Sequence, residues 1–474
     1  MTCFTFLPLL LALLGPSQPP FTIDATQDDS ANFPEAPRVQ SFSFGQWEGR
    51  WVFIGGRIAG YHALGGSSAD FSRADANREV WVVDTTVKPA RTYHVPVSLL
   101  PAKLDSVKDE WQTTGQLYYQ DGESLYIGGG YGEDSGGHWV TYPLLTKVDL
   151  PGLIDSVMKG QLDADCISFV SSPVVQSAGG ELVKLSDGFF YLVMGHVFTG
   201  TYSAFEGQGE HNSAPVSQTY LNEIRKLKIA EGTGGALSVK LVQTFRDDTE
   251  FHRRDLNVAK FLSPTGVGLA VYGGVFTPDT QLSYTKPVYL TAAGEPHIDA
   301  SFDQKMNAYN CAKLLVYDPS AATMYTTFFG GISRYAWYAH AKVFMENARS
   351  GNKNQGNYLD GMQWSDQIST LRRVVAAEKA ETSETVQDAP LGGFVGTDAV
   401  FIPIPQLARA AAGTDILDLT PLRGKRTLVG YIYGGIRASP FQFPYNKTAQ
   451  QYNSGTVPTK PSDLILKVYL QVRE

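Results

Sequence analysis

The sequence has little cysteine, little charge, no basic excess and no long apolar run beyond its first residues. Three cysteines in 474 residues exclude a disulfide-stapled scaffold, so stability has to come from a buried core. A chain of this length can build one. Charged residues make up 18% of the chain, with 39 basic against 47 acidic and a formal net charge of -8. That balance excludes the broad basic surface that general binding to nucleic acid requires. After the N-terminus no stretch approaches the twenty or so apolar residues of a membrane-spanning helix. His62, His138, His196 and His211 have no His-x-His or close carboxylate spacing, so no transition metal and no cofactor is expected.

At the N-terminus residues 4–14 are almost wholly apolar and are followed by Gly15-Pro16-Ser17. This reads as a signal peptide over residues 1–20 although a basic n-region is missing, with residues 21–474 as a single domain. The expected location is secreted, periplasmic or at the cell surface. Cys3 leaves with the leader. Cys166 and Cys311 read as two separate thiols, with one disulfide left open.

What is abundant is glycine, at 47 residues, and aromatic side chains, with 24 tyrosines and 25 phenylalanines. Many short strands joined by tight turns have this composition. A short apolar or aromatic run ending in a glycine pair recurs: Val52-Phe53-Ile54-Gly55-Gly56, Leu125-Tyr126-Ile127-Gly128-Gly129, Leu269-Ala270-Val271-Tyr272-Gly273-Gly274, Thr327-Phe328-Phe329-Gly330-Gly331 and Tyr431-Ile432-Tyr433-Gly434-Gly435. A sixth copy, Tyr191-Leu192-Val193-Met194-Gly195, has Met194 in place of the leading glycine. Upstream of most copies lies a second short strand and a turn such as Gln120-Asp121-Gly122 or Ser186-Asp187-Gly188, a hairpin signature. In the sixth unit residues 399–404 pair with 427–434 across a long, partly helical connection. Outer-strand candidates follow each pair, so each unit holds about four strands, and six units form an array.

On these residues the chain resembles the kelch family, across essentially all of residues 21–474. The resemblance implies an all-β fold, a six-bladed kelch-like β-propeller of four-stranded antiparallel blades. The family's downstream tyrosine and tryptophan do not recur at regular spacing, although Trp81, Trp139 and Trp364 take that place in three blades. Residues 21–25 are expected to supply the edge strand that the last unit lacks.

In a hairpin the start of the first strand and the end of the second lie at the same end. Loops after the glycine pairs and segments before the first strands therefore share one face. The candidate ligand-binding residues there are Arg57, His62, His196, Arg253, Arg254, Arg334 and Arg437; Tyr131 and residues 307–310 join them. Convergent arginines bind carboxylate, sulfate or phosphate through fork-like hydrogen bonds. The plainer reading has them bonding carbonyls of neighbouring blades or pairing with Asp248, Glu250 or Asp255. His252 is the candidate acid or base and Asp255 its orienting partner, with structural hydrogen bonding as the plainer alternative. Phe441, Phe443, Tyr445, Tyr452, Tyr335, Trp337 and Tyr338 offer rings for stacking on sugar faces or for packing long loops. Asn446-Lys447-Thr448 matches a glycosylation acceptor.

Two functional classes follow. One is a secreted or surface binding module whose loop-rich face takes a glycan, a small anion or a protein. The other is a carbohydrate-active enzyme, mutarotase- or epimerase-like, acting on an acidic sugar in a cationic central pocket. Secreted relatives of the kelch type include sialic-acid mutarotases and copper-radical sugar oxidases. The oxidases' cysteine-tyrosine crosslink and copper histidines have no matched positions here, and neither do the repeated boxes of sialidases. Whether catalysis occurs, which partner binds and the oligomeric state stay open.

Overall fold

The computed structural model describes residues 18–61, 71–202, 216–347, 349–350, 359–375, 381–439 and 458–474. They form a six-bladed β-propeller of four-stranded antiparallel blades. Blade 1 is Ser43–Trp47, Arg50–Ile54, Glu79–Asp84 and Arg91–Pro96; blade 2 is Thr114–Asp121, Ser124–Glu133, Leu144–Asp149 and Ile167–Ser171. Blade 3 is Glu181–Lys184, Phe190–Val193, Glu223–Glu231 and Leu237–Arg246; blade 4 is Asn257–Ser263, Gly266–Tyr272, Val288–Thr291 and His297–Ile298. Blade 5 is Lys313–Asp318, Thr323–Ser333, Gln363–Val374 and Thr382–Val386. Alternation drives this: in Ile465–Val472 every second side chain, Leu466, Val468, Leu470 and Val472, is buried, as a strand packed on one neighbour requires.

Blade 6 closes the ring. It takes Ala399–Pro403, Arg426–Gly434 and Ile465–Val472 from the C-terminal part of the chain and its fourth strand, Phe21–Gln27, from the N-terminal part. Phe21 lies opposite Val472 and Gln27 opposite Leu466.

The glycine pairs explain how the blades hold together. The second glycine of every copy donates its N–H to a carbonyl of the following blade: Gly56 to Thr113, Gly130 to Ser177, Gly195 to Arg253, Gly274 to Ala308, Gly331 to Val395 and Gly435 to Val39, at 2.7–2.9 Å. In blade 2 the equivalent pair is Gly129-Gly130, with φ of 64° and 84°. The sequence motif placed it one residue earlier, because three glycines in a row hide the register. Met194 occupies the leading position with φ of 57°, so the left-handed conformation is needed there even without glycine.

A second belt runs nearer the axis. Gly179 donates to Gly115 at 3.0 Å, Asp255 to Gly179 at 2.7 Å, Asn310 to Asp255 at 2.8 Å and Asp398 to Asn310 at 3.0 Å, all through backbone groups. These residues stand at the entrances of successive first strands, so their side chains share one rim.

The connection at residues 404–425 contains one 3-10 turn, Thr420–Leu422, and a two-residue strand, Leu417–Asp418, that pairs in parallel with Val316 and Tyr317 of blade 5. It lies at the lower end of the axis, where Gly413 accepts a hydrogen bond from Lys260 Nζ at 3.0 Å. Cys166 and Cys311 are separate thiols. No helix among the described residues is long and apolar enough to cross a membrane.

Candidate functional site

A cavity of about 2210 Å³ follows the axis. Its lower part is bordered by Trp47, Tyr119, Lys260, Arg409 and Asp415; its upper part by Arg57, His196, Tyr220, His252, Arg254, Asp255 and Asp398, from blades 1, 3, 4 and 6 and the segments leading into them. The upper part is the candidate site, because it gathers charge of both signs beside aromatic walls.

Arg254 is the principal cation. Its backbone bridges to Val275, with N–H···O distances of 2.8 and 3.0 Å, which fixes the side chain over the axis. Nε donates to the Tyr220 hydroxyl at 3.2 Å, Nη1 lies 3.5 Å from Asp255 Oδ2, and the guanidinium stands 5.4 Å from the Phe276 ring centre. Burial opposes its charge, but Tyr220, Asp255, Tyr202 and Tyr309 outweigh that and hold its pKa well above the ordinary value. It is 13% exposed, enough to meet a ligand while keeping its charge.

Two carboxylates face the same space. Asp255 and Asp398 both adopt positive φ, 51° and 53°, at equivalent places in blades 4 and 6. Burial raises the Asp255 pKa and Arg254 lowers it. For Asp398, burial and then the charge of Asp255 push the pKa up to about 7, against a hydrogen bond from Ser41 and the pull of Arg57. The Ser41 Oγ donor is 2.8 Å away.

The histidines are held neutral. His196 Nδ1 accepts from Gln218 Nε2 at 2.7 Å, and burial, followed by Arg254, depresses its pKa well below the ordinary value. His252 stacks on Tyr220 with ring centres 3.8 Å apart. Its Nδ1 lies 3.0 Å from Asn222 Oδ1; an amide oxygen only accepts, so Nδ1 carries the proton and Nε2 keeps its lone pair. Burial lowers this pKa as well, with Asp248 opposing. The residue orienting His252 is Asn222, while Asp255 turns to Arg254.

Of the residues read from the sequence, Arg57, Tyr131, His196, His252, Arg254, Asp255, Tyr309 and Asn310 border this cavity. Arg57 lies over the Phe71 ring at 4.3 Å. Arg253 is fully buried and clamps its own blade, donating to the carbonyls of Gly273 at 3.0 Å and Lys286 at 2.9 Å and to Glu250 Oε2 at 2.8 Å. Arg334 pairs with Glu346 at 2.6 Å and Arg437 with Asp463 at 2.8 Å, and none of these three borders the cavity. Alternation explains the split between Arg253 and Arg254, since neighbours in an extended segment face opposite ways. Tyr335 and Trp337 belong to a ribbon, Tyr335–Tyr338 with Val343–Glu346, in which Trp337 packs on Phe344 at 4.8 Å. His62, His211, Phe441, Phe443, Tyr445, Tyr452, Asn446 and residues 1–17 of the expected signal peptide lie outside the described residues. Among the described residues no group of three His, Cys, Asp or Glu is placed to hold a metal.

Sequence reasoning missed Asp398, Tyr202, Tyr220 and Asn222. Asp398 had a signal: it precedes its first strand much as Asp255 does. The others had none, because the ribbon His196–Thr199 with Ser217–Tyr220 folds back over the axis.

The raised carboxyl of Asp398 sets a sign for stability. Its folded pKa, about 7, lies above the ordinary 3.8. Its contribution therefore favours folding in full below that ordinary value and is lost as pH rises through the folded value. Asp398→Asn is expected to stabilise the protein at pH 8.5 by on the order of 2 kcal/mol and to change it little at pH 4. Urea unfolding at both pH values checks this, and an equal difference at the two would refute it.

No protein-family model matches the sequence, and no curated protein matches it. Among solved structures the chain is similar to one titled "Structure of YjhT", at 12% sequence identity and a TM-score of 0.47, over 93% of this chain and 99% of that chain. The six blades of this chain itself establish that it is a six-bladed β-propeller.

Proposed function

We propose that this chain is a kelch-like propeller, exported from the cell, that binds a small organic acid of the acidic-sugar type in the upper part of its axial cavity. The observation that carries the reading is the convergence of Arg254, Asp255, Asp398 and Tyr220 on one open cavity. A guanidinium offers paired donors to a ligand carboxylate, tyrosine and phenylalanine rings take apolar faces, and carboxylates accept from hydroxyls. The apolar start of the chain supports export. Calorimetric titration with D-glucuronate, N-acetylneuraminate, D-glucose and sulfate tests it. An acidic sugar is expected to bind while glucose does not, and Arg254→Ala is expected to weaken that binding at least about tenfold, the scale of a lost charge-assisted hydrogen bond. Undiminished binding in the folded variant would overturn the reading.

A second reading, a mutarotase- or epimerase-like enzyme, is favoured by one observation: Asp398, its pKa pushed up to about 7, borders the same cavity as His252, whose Nε2 keeps its lone pair, two groups of the kind proton transfer uses. Exchange spectroscopy of sugar anomers decides it, because an enzyme accelerates their interconversion and Asp398→Asn slows it.

A further inference from the structure

The candidate site gathers charge of both signs. Arg254 reaches over the cavity with Asp255 beside it, Nη1 to Oδ2 at 3.5 Å, and Asp255 and Asp398 stand on the rim formed by the inner backbone belt. Neither carboxylate is saturated. Asp255 approaches one guanidinium nitrogen only to 3.5 Å, beyond hydrogen-bond length, and its side chain is 29% exposed. Asp398 accepts from Ser41 Oγ at 2.8 Å, whereas an ionised carboxylate accommodates about four donors. The like charges of the two acids oppose each other, and a cation placed between them relieves that repulsion.

The other charges facing Asp398 offset this repulsion only in part. Arg57 from blade 1, which lies over Phe71, lowers the Asp398 pKa, yet burial and Asp255 still push it up to about 7. From blade 5 come the Cys311 thiol, whose pKa burial raises, and Lys313, which is spent on Glu181 at 2.9 Å. Arg254 is shared between Asp255 and Tyr220. His252 and His196 are neutral at pH 7.

We infer that the site selects a zwitterion, an acid whose carboxylate meets Arg254 and whose ammonium group meets Asp255 and Asp398. This rests on the acidic-ligand reading above and narrows it. A ligand with a carboxylate alone leaves two acids facing an acid; an ammonium brings three donors to them.

The test is titration of the full chain with 4-aminobutanoate, 5-aminopentanoate and 6-aminohexanoate, each beside its parent alkanoate, and with D-glucuronate. The amines titrate near 10.4 and stay charged throughout, so pH reports on the protein. At pH 8 at least one amino acid is expected to bind about tenfold or more tighter than its parent, the scale of one charge-assisted hydrogen bond. The preference is expected to shrink at pH 5.5, where Asp398 is protonated. His252 gains charge in the same direction on acidification, so Asp398→Asn separates the two: it is expected to abolish most of the preference already at pH 8. Circular dichroism and thermal unfolding establish that the variant is folded, and Asp255→Asn gives a second measurement from blade 4. If glucuronate binds through Arg254 and no amino acid outbinds its parent, the zwitterion inference fails and the acid reading stands. If neither glucuronate nor any alkanoate or amino acid binds, both fail. A full preference retained in Asp398→Asn and in Asp255→Asn also overturns the inference.

Discussion

A chain that begins at Asp29, lacking the strand Phe21–Gln27, is expected to melt roughly 4 °C below its parent, from a loss of about 4 kcal/mol. The strand contributes two core side chains, Phe21 and Ile23, both nearly fully buried, at about 1.5–3 kcal/mol each. It also fills the seven-residue ladder against Ile465–Val472 and ties the ring to blade 5, where the Gln387 side chain donates to Ile23 O at 2.7 Å and accepts from Ile23 N at 2.8 Å. Two ion pairs lie along it: Asp24 with Arg426 is solvent-facing and adds little, whereas Asp28, which pairs with Lys467 at 2.6 Å, is buried. Without the strand, Ile465–Val472 becomes an open edge, a template for aggregation. Differential scanning calorimetry with light scattering checks both effects. An unchanged melting temperature would mean that the ring does not depend on this closure.

Gly129→Ala is expected to destabilise blade 2 by about 3 kcal/mol or more, while Gly122→Ala, in the same blade, is expected to cost about 1 kcal/mol. Both glycines have positive φ, 64° and 60°, so both variants bear the left-handed strain. They differ in surroundings. A Cβ at Gly129 would sit 1.9 Å from Ser177 O, whereas nothing lies within 4 Å of one at Gly122. Ser177 O is also the acceptor for Gly130 N–H, so relieving the clash breaks one link between blades 2 and 3. Met194, at the place of the leading glycine in blade 3, is already adapted to a side chain in this conformation. Chemical denaturation of the two variants separates strain from clash. Equal losses would show that conformation alone requires glycine at residue 129.

The propeller was legible because its cause is local and repeated. Apolar runs ending in glycine recur where a strand must turn left-handed and pass within hydrogen-bond distance of the next blade, and the residues that allow this are few. The register was less legible: in Gly128-Gly129-Gly130 only the inter-blade bond from Gly130 to Ser177 identifies the working pair. The candidate site was legible in part. The topological argument put Arg57, His196, His252, Arg254 and Asp255 at one end of the ring, and all five border the cavity. It did not separate Arg254 from Arg253, because which of two adjacent arginines faces the axis depends on the twist of the segment entering blade 4. Nor did it assign Asn222 to His252, a contact across 30 positions of sequence.

Composition and repetition alone thus determined the architecture, the number of blades and the face on which polar loops gather, since each follows from short-range pattern and from the geometry of a hairpin. Only the tertiary structure decided which charges meet. The separation between Arg254, Asp255 and Asp398 is set by how six blades close around one axis, and a ring closes through contacts between residues hundreds of positions apart.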